Sequence, residues 1–268
     1  MNTERNKFIS QHLSQINWIL VDLSHPGNLG ASARALKVMG ASNMILVNPK
    51  IADSCSDQDA IKRAVKASDL LKNCRQMSFE KAIERSHHVI AFTSRRREIE
   101  PPEVDFIEMI KKIVDSLVIS NDSRVSMVFG GERVGLMNKD VIRCTNVCKI
   151  DSGLEYSSIN LSHAVQIVAY ALRSQLNNTF IATQKENNST DHFKYRESNL
   201  KSSKISQKKI YELKTLFLQI SGEIGLYGPE KKGKLEERIS RILATSDLSK
   251  DDYSLLKSFF ALINKKLK

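Results

Sequence analysis

Long apolar segments are absent from this sequence of 268 residues. No apolar run approaches the roughly 20 residues that a helix needs to cross a bilayer. The N-terminal residues, MNTERNKFISQHLSQ, are too polar for a secretory signal. We therefore expect a cytoplasmic protein that has no membrane as a partner.

Cysteine is also scarce, with four residues at Cys55, Cys74, Cys144 and Cys148. In a chain of this length, four scattered cysteines do not form the framework of a disulfide-rich secreted domain. Cys144 and Cys148 are close in sequence, but structural zinc sites require a second such pair or accompanying histidines. We expect buried thiols in a reducing compartment and no metal ion.

Acidic residues are in the minority, because 30 Asp and Glu stand against 41 Lys and Arg, and the formal net charge is +11. Residues 1–176 carry 23 basic and 19 acidic side chains, whereas residues 177–268 carry 18 and 11. A basic surface attracts polyanions, and binding them releases counterions. Charge alone leaves two interpretations open, a nucleic-acid partner or a merely solvated surface.

The first two-thirds of the chain alternates between short apolar runs and helical periodicity, which predicts an α/β fold with a mainly parallel sheet. The predicted strands are Ile16–Leu23, Met44–Val47, His88–Phe92, Val125–Phe129 and Val147–Ile150. The predicted helices are a segment capped by Asn28 and ended by Gly40, then Asp59–Leu71, Phe79–Glu84, Val104–Leu117 and Asn160–Leu176.

The last third of the sequence has a different composition. Residues 177–207 are rich in Asn, Ser, Thr, Lys and Gln and have few apolar residues to bury, which is typical of a linker or a long loop. Three amphipathic helices are predicted beyond it, at Lys208–Gly222, Lys231–Ala244 and Ser249–Leu267. We therefore expect an α/β domain over residues 1–176, a polar linker over 177–207 and a small α-helical C-terminal extension over 208–268.

Three loops combine glycine with polar residues where predicted strands end. They are SHPGNLGASAR at 24–34, FGGERVGL at 129–136 and IDSGLEYSSINL at 150–161. In open α/β sheets, ligands bind beyond the carboxyl ends of the strands, so the three loops are expected to meet at one site. Taken singly, the first two also fit ordinary turns with solvated charges. Neither has the spacing of a dinucleotide fingerprint or of a P-loop.

In their order and spacing, HPGNLGASARALKVMG, FGGERVGL and LEYSSINLSHAVQIVAYALR resemble the three motifs of the TrmH-like SPOUT RNA 2′-O-methyltransferases. The resemblance covers residues 16–176 and is greatest to the members that methylate cytidine and uridine in tRNA. It implies a SPOUT-type fold with a C-terminal deep trefoil knot, a rare exception to unknotted topology. It also implies S-adenosyl-L-methionine as methyl donor, a homodimer with active sites at the subunit interface, and position 32 of the tRNA anticodon loop as target.

The resemblance also implies the site residues. Those expected to line the cofactor site are Thr93, Ser94, Arg95, Gly130, Ile150, Ser157, Ser158 and Ile159. Those matching the catalytic and substrate positions are Asn28, Arg34, Glu132, Ser158 and Asn160. The family assigns activation of the 2′-hydroxyl to Arg34, but a guanidinium is a poor base. We expect Arg34 to hold a phosphate and to stabilise oxyanion charge.

Two departures from the family motifs are expected to loosen a knot loop. Gly131 replaces the usual Pro or Arg, and Gly153-Leu154 replaces a usual Asn-Pro. The run Arg95–Arg97 is a further candidate for contact with an RNA backbone. Three alternatives remain open: methylation of another tRNA position or of rRNA, a non-catalytic RNA-binding homologue, and a nucleotide-dependent enzyme on a conventional doubly wound sheet.

Overall fold

A seven-stranded parallel sheet forms the centre of the fold. The computed structural model describes residues 2–51, 53–153, 158–186, 204–227 and 232–267. The strands are β1 (Ile16–Val21), β2 (Asn43–Val47), β3 (Arg75–Gln76), β4 (His88–Phe92), β5 (Glu103–Val104), β6 (Val125–Gly130) and β7 (Asn146–Cys148). Their order is β3-β2-β1-β6-β4-β7-β5, and neighbouring strands run parallel. The predicted mainly parallel α/β sheet is confirmed.

Helices cover both faces of this sheet. They are α1 (Asn2–Leu13), α2 (Pro26–Met39), α3 (Gln58–Ala64), α4 (Ser68–Lys72), α5 (Phe79–Ile83), α6 (Phe106–Ile119), α7 (Asn138–Val141) and α8 (Leu161–Glu186). Side chains alternate between the faces of a strand. Trp18 and Leu20 of β1 therefore pack with α1–α4, α6 and α8, whereas Ile19 and Val21 pack with α5 and α7.

Helix α2 is capped three residues before the predicted position. The His25 side chain accepts a hydrogen bond from the Gly27 amide at 3.0 Å, so His25 caps the helix and Asn28 lies within its first turn. The prediction that Asn28 caps α2 is therefore wrong, and the Asn28 side chain is available for other contacts. Gly40, at φ 81°, ends the helix as predicted because glycine adopts this left-handed conformation without steric cost.

Other helix boundaries also differ from expectation. Helix α8 does not end at Leu176 but continues to Glu186, so residues 177–186 of the predicted linker are helical. Buried Leu176 and Phe180 extend its apolar face. Helix α6 begins at Phe106 rather than Val104, because the Asp105 side chain accepts hydrogen bonds from two amides of its first turn. Helix α1 was not predicted at all.

Three further helices follow at the C-terminal end, close to the predicted bounds: α9 (Gln207–Glu223), α10 (Lys232–Thr245) and α11 (Lys250–Leu267). Leu213 of α9 and Tyr253 of α11 belong to a small shared core. The start of α9 is hydrogen-bonded to the chain just before β4, because the Gln207 amide donates to the carbonyl of Ser86 at 2.9 Å. In the described part of the chain, no helix is long and apolar enough to cross a membrane.

Candidate active site

The Glu132 carboxylate joins the first two motif loops. Its Oε2 accepts hydrogen bonds from the amide and the hydroxyl of Ser24 at 3.0 and 2.8 Å. Its Oε1 accepts one from Nδ2 of Asn28 at 2.8 Å. Partial burial by itself raises the pKa of Glu132, but the hydrogen bonds from Asn28 and Ser24 outweigh it and hold the pKa below its usual value. Glu132 is therefore an ionised acceptor at neutral pH.

The third loop is attached to the same carboxylate through two amide side chains. Nδ2 of Asn160 donates to Oδ1 of Asn28 at 3.0 Å. Oδ1 of Asn160 accepts from both the amide and the hydroxyl of Ser162, at 2.9 and 2.7 Å. The two donors of Ser162 fix which end of the Asn160 amide faces Asn28, and Glu132 fixes the orientation of Asn28. The hydrogen bonds therefore run in one direction from Ser162 to Glu132.

A cavity of about 270 Å³ lies at the carboxyl ends of β4 and β6, beside this network. It is lined by predicted cofactor residues, namely Thr93, Ser94, Arg95, Gly130, Ile150, Ser158 and Ile159. Ser157, the remaining predicted cofactor residue, lies outside the described residues. A second, adjoining space is lined by Glu132, Ser158, Asn160 and His163. The convergence of strand-end loops expected from the sequence is therefore present.

Glycine forms one wall of the cavity because the backbone is crowded there. A Cβ on Gly130 would lie 2.2 Å from the carbonyl carbon of Gly135. A Cβ on Gly131 would lie 2.3 Å from the carbonyl oxygen of Asp22. The Gly135 amide donates to the Gly131 carbonyl at 3.0 Å and closes the loop. Gly131, which was expected to loosen this region, instead permits close packing against the chain that follows β1.

Among the predicted catalytic residues, Arg34 alone neither lines one of the two spaces nor takes part in the hydrogen-bonded network. It is exposed on α2 and is not among the residues lining either space. Arg34 follows Asn28 by six residues, so the two side chains point about 120° apart around the helix axis. Asn28, in contrast, faces Glu132 directly. Asn28, Glu132 and Asn160 are thus joined by hydrogen bonds, and Ser158 lines both spaces. Arg34 stands apart from all four.

Ser24, Ser162 and Arg97 are residues of the site region to which sequence reasoning assigned no role of this kind. Ser24 directly precedes the first motif and Ser162 lies inside the third, but only geometry shows that they donate to Glu132 and Asn160. Arg97 donates to the carbonyl of Leu136 at 2.7 Å, so its guanidinium is bonded to the protein. Among the residues that the structure describes, no group of His, Cys, Asp and Glu side chains could hold a metal ion.

Comparisons with known proteins agree with this geometry. A model of the SpoU rRNA Methylase family matches residues 15–170. The tRNA (cytidine/uridine/adenosine-2′-O-)-methyltransferase TrmJ of Pseudomonas aeruginosa is 32% identical over 247 residues, covering 91% of this chain and 92% of the relative. The tRNA (cytidine/uridine-2′-O-)-methyltransferase TrmJ of Salmonella typhimurium is 36% identical over 181 residues, covering 67% and 70%.

Solved structures show the same fold. The crystal structure of TrmJ from Z. mobilis superposes with a TM-score of 0.75 at 20% identity, covering 92% of this chain and 98% of that one. A probable methyltransferase from Bordetella pertussis gives 0.59 at 33% identity, covering 62% and 99%. The resemblance carried by the three motifs is therefore confirmed, and the chain belongs to the SpoU rRNA methylase family.

Proposed function

We propose that this protein is a cytoplasmic, S-adenosyl-L-methionine-dependent tRNA 2′-O-methyltransferase that acts on cytidine or uridine at position 32 of the anticodon loop. The observation that carries the proposal is the meeting of three motif loops beside one cavity, with Asn28, Glu132 and Asn160 hydrogen-bonded at its edge. The names of the P. aeruginosa and S. typhimurium relatives specify tRNA, the 2′-oxygen, and cytidine and uridine.

The cavity has features suited to the proposed cofactor. Gly130 and Gly131 are among the residues that line it, and Ile150 and Ile159 offer apolar surface. Polar contacts are offered by the hydroxyls of Thr93, Ser94 and Ser158 and, for a carboxylate, by the guanidinium of Arg95. Ser157 stays a proposed contact on the strength of the motif alone. When bound, S-adenosyl-L-methionine supplies a methyl group on a positively charged sulfur.

The chain's own residues then have separate tasks in the proposed reaction. Glu132 already accepts three hydrogen bonds, so it orients Asn28 rather than taking a proton from a ribose. Ser158 and Asn160 hold the target ribose, a role favoured by their exposure beside the second space. Arg34 binds the neighbouring phosphate and stabilises charge on the 2′-oxygen, because a guanidinium remains protonated and offers several donors.

Arg34 does not line the cavity of its own chain, and a homodimer would bring it to the cavity of a second copy. Val38 lies one turn beyond Arg34 on α2 and is 64% exposed, and Tyr170 on α8 is 62% exposed. Ile167 adds a third partly exposed apolar side chain. Helices α2 and α8 pack against each other, so these side chains belong to neighbouring helices. We propose that a second copy covers this face and places its Arg34 at the partner's active site.

The finer features of the fold belong to the same proposal. Strand β7 lies between β4 and β5, and the chain after β7 returns so that Asn160 reaches Asn28 in the first turn of α2. This course supports the trefoil knot implied by the motifs. The division into an α/β domain, a linker and a helical C-terminal extension is likewise proposed, with the first boundary moved from residue 176 to the end of α8 at Glu186. The basic C-terminal helices are proposed as a second tRNA-binding surface. Exposed Lys232, Lys234 and Arg238 of α10 favour this role.

Methylation of bulk unmodified tRNA with labelled cofactor, followed by mapping of the modified ribose, tests the proposal. We expect label at the 2′-oxygen of nucleotide 32. Label at another tRNA position would replace the substrate but keep the chemistry, as would label in rRNA in a parallel reaction when tRNA takes up none. Cofactor binding without transfer to any RNA would favour a non-catalytic homologue, and absence of cofactor binding in calorimetry would refute the proposal.

Arg34→Lys separates the two tasks assigned to this side chain. Lysine keeps the positive charge but loses the planar fork, so RNA affinity should fall only severalfold. Turnover should fall by about 100-fold or more, since oxyanion stabilisation by one donor is of that order. Arg63→Lys, an exposed change on α3, is the matched control. Full turnover by Arg34→Lys would contradict the assignment.

A further inference from the structure

Arg97 differs from the two arginines that precede it because its guanidinium is occupied by contacts within the protein. Nε donates to Oδ1 of Asn138 at 3.0 Å, and Nη2 donates to the carbonyl of Leu136 at 2.7 Å. Nη1 donates to the carbonyl of Arg95 at 2.8 Å and to Oγ1 of Thr93 at 3.4 Å. Every guanidinium nitrogen therefore has a protein acceptor, which argues against the expected contact of Arg97 with an RNA phosphate.

These contacts join two different loops. The acceptors in Thr93 and Arg95 belong to the loop after β4, whereas the other two belong to the chain after β6. Strands β4 and β6 are hydrogen-bonded neighbours, so their loops leave the same edge of the sheet side by side. The Arg97 amide also donates to Oε2 of Glu100 at 3.2 Å, which folds the first loop back on itself. Arg97 thus connects the two loops at their bases.

The same two loops both line the proposed cofactor cavity. Thr93, Ser94 and Arg95 line it from the first loop, and residues 130–135 line it from the second. Arg97 itself does not line the cavity. A side chain that is bonded to both loops but does not line the cavity fixes the distance between the two loops. Because ligands bind more tightly to a preorganised site, this spacing determines cofactor affinity.

We propose that Arg97 is a positioning residue that sets the width of the cofactor cavity by linking the loops after β4 and β6. The inference rests on the proposed function, because it takes the cavity to be the S-adenosyl-L-methionine site. Only arginine offers a planar fork that reaches acceptors on both loops at once. A lysine at this position has one ammonium group and cannot replace three separately directed nitrogens.

The neighbouring Arg96 provides a matched control. It is exposed, lies in the same loop and carries the same charge. Arg96→Ala, Arg97→Ala and Arg97→Lys are compared in the full-length protein by calorimetric titration with S-adenosylhomocysteine. We expect Arg96→Ala to bind within about twofold of wild type. Both Arg97 variants should bind about tenfold more weakly, which corresponds to losing roughly 1.4 kcal/mol of binding free energy.

Two further readouts distinguish positioning from a general loss of stability. Hydrogen exchange should be faster in residues 93–100 and 131–138 of the Arg97 variants and unchanged in the core strand β1. At saturating cofactor, kcat on tRNA should stay within about threefold of wild type, whereas the cofactor KM rises. Faster exchange throughout the sheet in both Arg97 variants would make the residue merely structural and overturn the inference.

The outcomes separate this inference from the proposed function. If the wild type binds S-adenosylhomocysteine, and Arg96→Ala and Arg97→Ala bind it with equal affinity, the positioning role is overturned. The methyltransferase proposal then stays intact. Absence of binding by the wild type would overturn the methyltransferase proposal, while hydrogen exchange would still test the link between the loops. If Arg97→Ala does not fold, Arg97→Lys carries the comparison, and failure of both to fold also overturns the positioning role.

Discussion

The directed hydrogen bonds between Glu132, Asn28 and Asn160 make a specific double substitution informative. In Glu132→Gln, the remaining carbonyl oxygen can still accept from Ser24, but the new NH2 group then faces Nδ2 of Asn28, a second donor. Rotating the Asn28 amide moves the conflict to Asn160, and rotating Asn160 loses its contact with Ser162. Each arrangement of the single variant therefore contains one mismatched pair.

The second substitution, Asn28→Asp, removes that mismatch. The introduced aspartate would accept from the new glutamine amide with one oxygen and from Asn160 with the other, while the glutamine carbonyl accepts from Ser24. The double variant has the same net charge as the wild type and restores a donor for every acceptor. Asn28→Asp alone places two carboxylates where the wild-type atoms lie 2.8 Å apart. We therefore expect both single variants to be impaired and the double variant to recover.

The exposure of this network limits the size of the effect. A hydrogen bond to a charged group contributes about 1.5–3 kcal/mol when buried. Glu132 and Asn160 are exposed, so solvent competition reduces the expected penalty to about 1 kcal/mol for Glu132→Gln. Two carboxylates this close in water repel by roughly 1.5 kcal/mol. Their coupling in a double-mutant cycle should be about 1–2 kcal/mol in favour of the double variant.

Urea unfolding of the four proteins measures this coupling, and cofactor titration provides a second readout. Asn6→Asp is the control, because it changes an exposed amide to an acid at a hydrogen bond with Arg173, outside the network. Glu132→Gln combined with Asn6→Asp should show no recovery. If the losses of unfolding free energy caused by Glu132→Gln and Asn28→Asp simply add in the double variant, the assigned direction of the hydrogen bonds is wrong.

Three other predictions concern packing, pH and assembly. Gly30→Ala should destabilise the protein by about 1–3 kcal/mol in urea unfolding, because its Cβ would lie 2.1 Å from the Ala60 carbonyl oxygen. Gly153 has open space around it, so the control Gly153→Ala should change the free energy of unfolding by less than about 0.5 kcal/mol. Burial lowers the pKa of His88 to about 3, so the folded state keeps it neutral while the unfolded chain binds a proton below about pH 6.5. Stability should therefore fall as the pH drops from about 6.5 towards 3, by up to ~1.4 kcal/mol per unit, and His88→Gln should flatten this slope in unfolding curves. Tyr170→Glu should convert the proposed dimer to monomer in sedimentation and reduce turnover; an unchanged mass with full activity would place the interface elsewhere.

The central strands could be predicted because burial on both faces makes them continuous apolar runs. The predicted strands at Met44–Val47, His88–Phe92 and Val125–Phe129 each lie within one residue of the structure. The two-residue strands β3 and β5, at the edges of the sheet, have no such pattern and were missed. Helix α1 was missed for a different reason. Its sequence is polar, and its buried Ile9 and Leu13 are covered by contacts made far along the chain, including those between α1 and α8.

The sequence predicted which residues lie at the candidate site, but not which of them are hydrogen-bonded to each other. Glycine and polar residues at strand ends indicated where a ligand lies, because parallel strands end at one edge of the sheet. Nothing in the motif letters shows that Ser162 orients Asn160, or that Arg97 rather than Arg96 bonds to Leu136. Such details depend on distances between loops that are far apart in sequence. The role of Arg34 likewise depends on which surface of α2 is covered.

The contrast between Glu132 and Arg34 constrains the chemistry. A carboxylate that accepts three hydrogen bonds, and whose pKa is held below its usual value, is a weak proton acceptor at neutral pH. A guanidinium is a poor base, so Arg34 is not assigned that role either. In the proposed reaction, methyl transfer to a ribose oxygen therefore depends on alignment and on stabilising negative charge, and we propose that the proton leaves to water or through Ser158. We expect the rate of methyl transfer to rise with pH without a break in the pH range where carboxyl groups titrate. The Glu132→Gln/Asn28→Asp protein should show the same dependence. A loss of that pH dependence in the double variant would instead identify Glu132 as the base.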